Sequence, residues 1–312
     1  MNIYDETIND YFEYAKKSIL QINQVMNVED DALVDAKSVV FAGMLAYYGQ
    51  DFLNDIYLAF LKTEFVLCDE KVDETIGKKY NLNSKQMEFV RKHCPGTFYE
   101  VIATKDLATN KCRFKRKIYI DNDLDSDILL RGIVHQMNHV INSIHNPVLK
   151  KQGNLGSRMG ISFEQFESRK SNEYEVEEAI NQLQTDDIMG EIFGFRFYSI
   201  EDSSIGNLIS SAYLKDEAKK VENDVESENL IIQIIKPLYD HAIFGSSLVD
   251  DRINGNLNEI KRSFDSSTEA GCFFTFLREC SMIKPDSEDV ENLEHVENAK
   301  TLVKRYIDNC NL

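Results

Sequence analysis

Residues 128–144 read ILLRGIVHQMNHVINSI, and the spacing of their apolar members decides how the middle of the chain folds. At about 100° per residue, Leu130, Ile133, Val134, Met137, Val140, Ile141 and Ile144 line up as one stripe of a helix. His135 and His139 are four residues apart and project from the opposite face, beside Arg131, Asn138 and Asn142. The acidic run from Asp121 to Asp127 suits a helix N-terminus. The spacing therefore predicts a helix from about Ile128 to Ile144.

On the N-terminal side of this helix the period changes. Thr97 to Thr104 (TFYEVIAT) is rich in aromatic and β-branched residues. In Cys112 to Ile120, Cys112, Phe114, Ile118 and Ile120 alternate with Arg113, Lys115, Lys117 and Tyr119. The two segments, joined through Asp106 and Asn110, are expected to form a β-hairpin. Arg116 interrupts the apolar face, which suits an edge position for the second strand. On the C-terminal side, Pro147, Gly153, Gly156 and Gly160 predict a loop, and a second helix follows from about Asn172 to Met189 or beyond. The first third, with Leu53, Ile56, Tyr57, Phe60 and Leu61 at helical spacing, reads as all-helical, and so does most of the segment after residue 200, with breaks near Pro237, Gly245 and Gly255.

The expected fold class is α+β and mainly helical, with a small β-sheet whose edge strand packs beside the histidine helix and a glutamate-bearing helix. Three regions are expected: 1–92 helical, 93–200 a mixed core, and 201–312 helical. With 312 residues the chain can bury a substantial core. A net charge of −18 opposes binding to phosphate backbones, so no nucleic-acid partner is expected. The longest apolar stretch, Ser38 to Tyr48, is about half the roughly 20 residues a membrane span requires. No membrane partner is expected, and the polar, acidic start MNIYDETIND predicts no export signal. Six cysteines without a CxxC pair read as reduced thiols, which places the protein in the cytoplasm. The oligomeric state is open.

Two histidines on one helical face make half of a zinc site, which needs a third protein ligand. The second helix, SNEYEVEEAINQLQ, offers Glu173, Glu175, Glu177 and Glu178. Val176, Ile180 and Leu183 mark its buried stripe, and Glu178 points away from it, with Tyr174 one turn back and Gln182 one turn on. Glu178 is the best placed of the four. A polar helix face bearing two histidines by chance, and an acidic first turn favoured by the helix dipole, account for the same residues without a metal.

With these residues in view, the segment from about Phe98 to Met189 resembles the gluzincin zinc metallopeptidases, in particular their minigluzincin-like members. The resemblance rests on KIYI before the helix, GIVHQMNHVIN in it, GSRMGI in the loop and EEAINQLQT in the second helix. It implies a Zn2+ cofactor held by His135, His139 and Glu178, with the fourth position left to water or substrate. It further implies a peptide or protein as substrate or ligand. Three positions depart from the family pattern. Gln136 stands where HExxH has its glutamate, and Gln182 stands where the second acid of an NExxxE-like run would be; Glu177 also replaces the usual asparagine. The family's glutamate is the general base, and an amide cannot take up a proton. The chain is thus expected to hold metal and to hydrolyse poorly or not at all. Gln136 is compatible with a natural pseudoenzyme and with a substitution introduced to trap an active one.

A gluzincin site also needs an oxyanion donor, for which Tyr174, Tyr239 and His241 are candidates alongside ordinary packing roles. His145 suits the helix C-terminus, and His93 and His295 read as surface residues. The strand from Arg113 to Ile120, if at an edge, would pair with an extended peptide, and Lys115 and Lys117 would favour acidic ones. The reading is a gluzincin-like metallopeptidase homologue, inactive or severely impaired as it stands. The alternative is a non-catalytic zinc-binding or peptide-binding interaction protein.

Overall fold

A computed structural model describes residues 3–310 apart from 30, 85, 86, 88–90, 92–95, 107–110, 145–155, 160, 161, 166–173, 196–199, 223–229, 255–257 and 285–288. The fold is α+β and mainly helical, with a small mixed sheet. By contact density the chain divides into two units: Met1–Ile141 with Thr185–Asp224, and Asn142–Gln184 with Val225–Leu312. Among the described residues no helix is long and apolar enough to cross a membrane.

The first unit holds helices α1 (Ile3–Met26), α2 (Val34–Tyr48), α3 (Leu53–Leu61), α4 (Val72–Tyr80), α5 (Ser126–Ile141) and α7 (Ser203–Glu222), with the second half of α6 (Tyr174–Gly194). Its strands are β1 (Thr63–Cys68), β2 (Thr97–Asp106) and β3 (Lys111–Asp121). The longest apolar stretch of the sequence is α2, whose Val39, Val40, Phe41, Ala42 and Met44 are fully buried. A helix that is apolar on every side belongs at the centre of a core. Gly43 lets it lie close to α6, since a Cβ there would stand 2.5 Å from Ile192 Cγ1.

Sheet order is β1-β3-β2, with β1 parallel and β2 antiparallel to β3. The hairpin forms where the sequence predicts it, but β3 is the middle strand and not an edge. The strand that displaces it, β1, lies in the third that reads as all-helical. TEFVLC follows the helix after Lys62 with no Gly or Pro to mark the change, and its pairing partner begins at Arg116, too far along the chain for local periodicity to reveal. Thr97 and Tyr99 of β2 pair with Ile120 and Ile118 of β3, on the face that meets α5. On the other face Tyr119 packs with Cys68, Val72 and Ile76, and the buried Glu100 accepts hydrogen bonds from Lys79 at 2.6 Å and from Tyr119 at 2.9 Å.

The second unit contains the first half of α6 with α8 (Leu230–Tyr239), α9 (Ala242–Asn254), α10 (Asn258–Ser267), α11 (Cys272–Met282) and α12 (Val290–Cys310). Phe264 stacks on Tyr306 and Phe276 at the centre, and Phe244 and Phe273 stand around it. Pro237 lies within α8 and Gly245 within α9; the chain breaks instead at Asp240 and His241. Where the glycines predict a loop, β4 (Ser143–Ile144), β5 (Gly156–Met159) and β6 (Ser162–Gln165) form a small antiparallel sheet. Strands of two and four residues are too short to show an alternation.

Candidate metal centre

Of the stripe predicted for α5, Leu130, Ile133, Val134, Met137, Val140 and Ile141 all lie in the core, while the helix ends at Ile141 and Ile144 falls in β4. Much of the opposite face is buried as well, with Arg131 and His135 only partly so, which the sequence does not anticipate. Gln136 and His139 are each 4% exposed and Asn138 is fully enclosed, so this is not a solvated polar face. Tyr48 donates to Asn138 Oδ1 at 3.1 Å, and Gln136 Nε2 donates to Thr97 Oγ1 at 3.3 Å. Polar groups at this depth are kept only where partners meet them.

Gly132 sets how closely α5 approaches β2. A Cβ on it would stand 2.5 Å from Thr97 Cγ2, and β-branched threonine has little freedom to yield. We expect Gly132→Val to lower stability by about 1–3 kcal/mol in urea denaturation, as overpacked cores do, and to disturb the Gln136–Thr97 bond one turn on. A variant as stable as the parent would show that α5 and β2 are not in this close contact.

His135 and His139 meet at their Nε2 atoms, 3.2 Å apart, with the rings nearly perpendicular. Zinc–nitrogen bonds of about 2.0–2.1 Å at a tetrahedral angle separate two ligand nitrogens by about 3.3 Å, so the pair fits a shared ion. The same separation suits a proton held between the rings.

Glu178 lies on α6. Arg131, one turn before His135, donates to Asp186 on α6 and, at 3.1 Å, to Asp216 on α7. These three residues belong to the first unit, and their pairing ties α5 to α6 and α7 there. His135, His139 and Glu178 each offer one ligand atom, and these atoms all lie within 4.8 Å of one another. Val176, Ile180 and Leu183 are buried in the second unit's core, as their spacing predicts. Glu177 is not part of an exposed acidic turn: it is fully buried against Arg252, which also donates to Gln184.

The other candidates have different surroundings. Tyr239 packs against the second unit's hydrophobic cluster, and His241 stands edge-on to Tyr306 at 5.5 Å. The side chains of Tyr174 and Glu175, together with Glu173, His93 and His145, lie outside the described residues. His295 is half-buried and bonded through Nδ1 to Glu279 at 2.8 Å, where a surface position was expected.

Two residues of the sheet face that meets α5 escape a reading of the helix alone. Tyr99 stacks parallel to His139 at 6.4 Å. Arg116, on the same face of the sheet, is half-buried, and burial pushes its pKa below the ordinary arginine value against the opposing influence of Tyr99. The alternation of β2, with Thr97 and Tyr99 on one face, was the signal that could have found the first. No protein family, curated protein or solved structure matches the chain.

Proposed function

We propose that this protein is a zinc-binding homologue of the gluzincin metallopeptidases that holds a peptide or protein ligand and hydrolyses it poorly or not at all. The observation that carries the reading is the convergence of His135, His139 and Glu178, two imidazoles and a carboxylate, which is the donor set of a three-ligand zinc site. Zinc bound there would supply Lewis acidity and a lowered pKa for water. What the chain itself supplies at the general-base position is Gln136, an amide that can orient a water by hydrogen bonding but cannot accept its proton. Cys68, Cys272, Cys280 and Cys310 are free thiols, which supports a reducing, cytoplasmic setting.

A second reading, a peptide-binding protein that has given up catalysis altogether, is favoured by the bond between Gln136 and Thr97, which satisfies the buried amide without substrate. Elemental analysis of protein purified without chelator tests the common ground of both. One zinc per chain is expected, lost or weakened at least about tenfold in Glu178→Ala. No zinc in either protein, even after zinc is supplied, would remove the metal centre and the family reading with it.

A further inference from the structure

We propose that Arg116 binds a carboxylate of the peptide ligand beside the ligand histidines, and so selects for acidic peptides; this rests on the reading of the site as metallopeptidase-like. Arg116 stands on β3 in register with Val101 of β2 and Thr63 of β1. Its face is that of Ile118 and Ile120, which is also the face of Thr97 and Tyr99, so it belongs to the side of the sheet that meets α5. Tyr99, diagonal to it across the ladder, is the residue stacked on His139.

What sets Arg116 apart is its lack of an anion. Among the residues whose side chains are described, every other arginine is paired with a carboxylate: Arg91 with Asp73, Arg131 with Asp186, Arg252 with Glu177, Arg262 with Glu259, Arg278 with Glu279 and Arg305 with Glu269. In a chain with 53 aspartates and glutamates, Arg116 alone of these has no ion pair or hydrogen bond among the described residues. A guanidinium stays charged even when half-desolvated, so the position is unfavourable until an anion arrives. Its planar fork matches a carboxylate with two parallel hydrogen bonds. The lysines first read as the acid-recognising groups do not compete for this role. Lys115 and Lys117 lie on the opposite face of a middle strand, and Lys117 is bonded to Glu64 at 2.8 Å.

The carboxylate can come from an acidic side chain or from a peptide C-terminus, and one binding experiment separates the two. Three fluorescein-labelled hexapeptide pools, otherwise degenerate over neutral residues, are titrated by anisotropy: one with Glu and an amidated end, one with Gln and an amidated end, and one with Gln and a free carboxylate. Wild type is expected to favour at least one acid-bearing pool over the Gln amide by about ten- to a hundredfold, the value of a charge-assisted bond. That preference should vanish in Arg116→Gln and Arg116→Met and survive in part in Arg116→Lys. Because the guanidinium has no partner among the described residues, Arg116→Met should melt no lower than wild type, whereas an arginine with a structural role would melt lower. No acid preference in wild type, or a preference that persists in Arg116→Met, overturns the assignment. Zinc content is read on the same samples: wild type without zinc overturns the metallopeptidase-like reading itself, and zinc bound without acid preference overturns the role of Arg116 alone.

Discussion

Replacing Gln136 with glutamate is expected to raise zinc-dependent peptide hydrolysis by about a hundred- to ten-thousand-fold over the parent chain, the range a positioned general base supplies. Glutamine and glutamate have nearly the same shape, so the buried pocket around residue 136 needs no repacking. The contact that holds the side chain also survives. Gln136 now donates to the Thr97 hydroxyl; a carboxylate has no proton to donate, and the hydroxyl then turns to donate instead. Thr97 is fixed by strand β2, so the carboxylate would keep the orientation of the amide.

Burial acts in the same direction. Position 136 is 4% exposed, and desolvation raises the pKa of a carboxyl toward the value at which a general base works best near neutral pH. The restored activity should therefore rise with pH through a carboxyl pKa above that of a solvated glutamate, because the ionised form is the base. Mass spectrometry of a broad peptide pool, with and without chelator, reads the result. A Gln136→Glu protein that carries zinc and cleaves nothing would mean that the chain lacks more than its base.

How far the sequence carries depends on the range over which each contact acts. Helix α5 is legible because six apolar residues repeat within one element, and Glu178 is legible because Val176, Ile180 and Leu183 fix which way the rest of α6 points. Both inferences need only the periodicity of a single helix. The strand order is not legible, since β1 meets β3 through a parallel pairing of Thr63 with Arg116, half a hundred residues on, that leaves no local trace. For the same reason Arg116, read as a blemish on an edge strand, is instead a cation in the middle of the sheet. The burial of the polar face of α5 is hidden too: Asn138 looks solvated until Tyr48, from another helix, is found hydrogen-bonded to it. Glu177 shows the limit most plainly, because the residue that explains it, Arg252, lies on α9.

That pair leads to the largest effect expected on stability. Arg252 and Glu177 have side chains with no exposure at all, and Gln184 accepts from the other arm of the same guanidinium. Truncating Arg252 to alanine leaves a carboxylate and an amide oxygen buried without their cation, and breaking a buried pair from one side costs about 3–5 kcal/mol. Removing both charges is a different experiment. Arg252→Met with Glu177→Gln takes out the cation and the anion together, fills the arginine's volume with an apolar chain, and is expected to recover most of the loss. The neighbouring Asp251 accepts from the Ile260 backbone at 2.8 Å, so α9 remains tied to the start of α10 in every variant. Urea unfolding of the parent, both single variants and the double variant gives the coupling energy directly. A loss below about 1 kcal/mol for Arg252→Ala, or a double variant no more stable than the weaker single one, would show that the pair is not the closed, buried unit its geometry describes. Glu177 directly precedes Glu178 and Gln184 follows it six residues on, so a loosened Arg252 should weaken zinc binding at the proposed site without touching any of its proposed ligands.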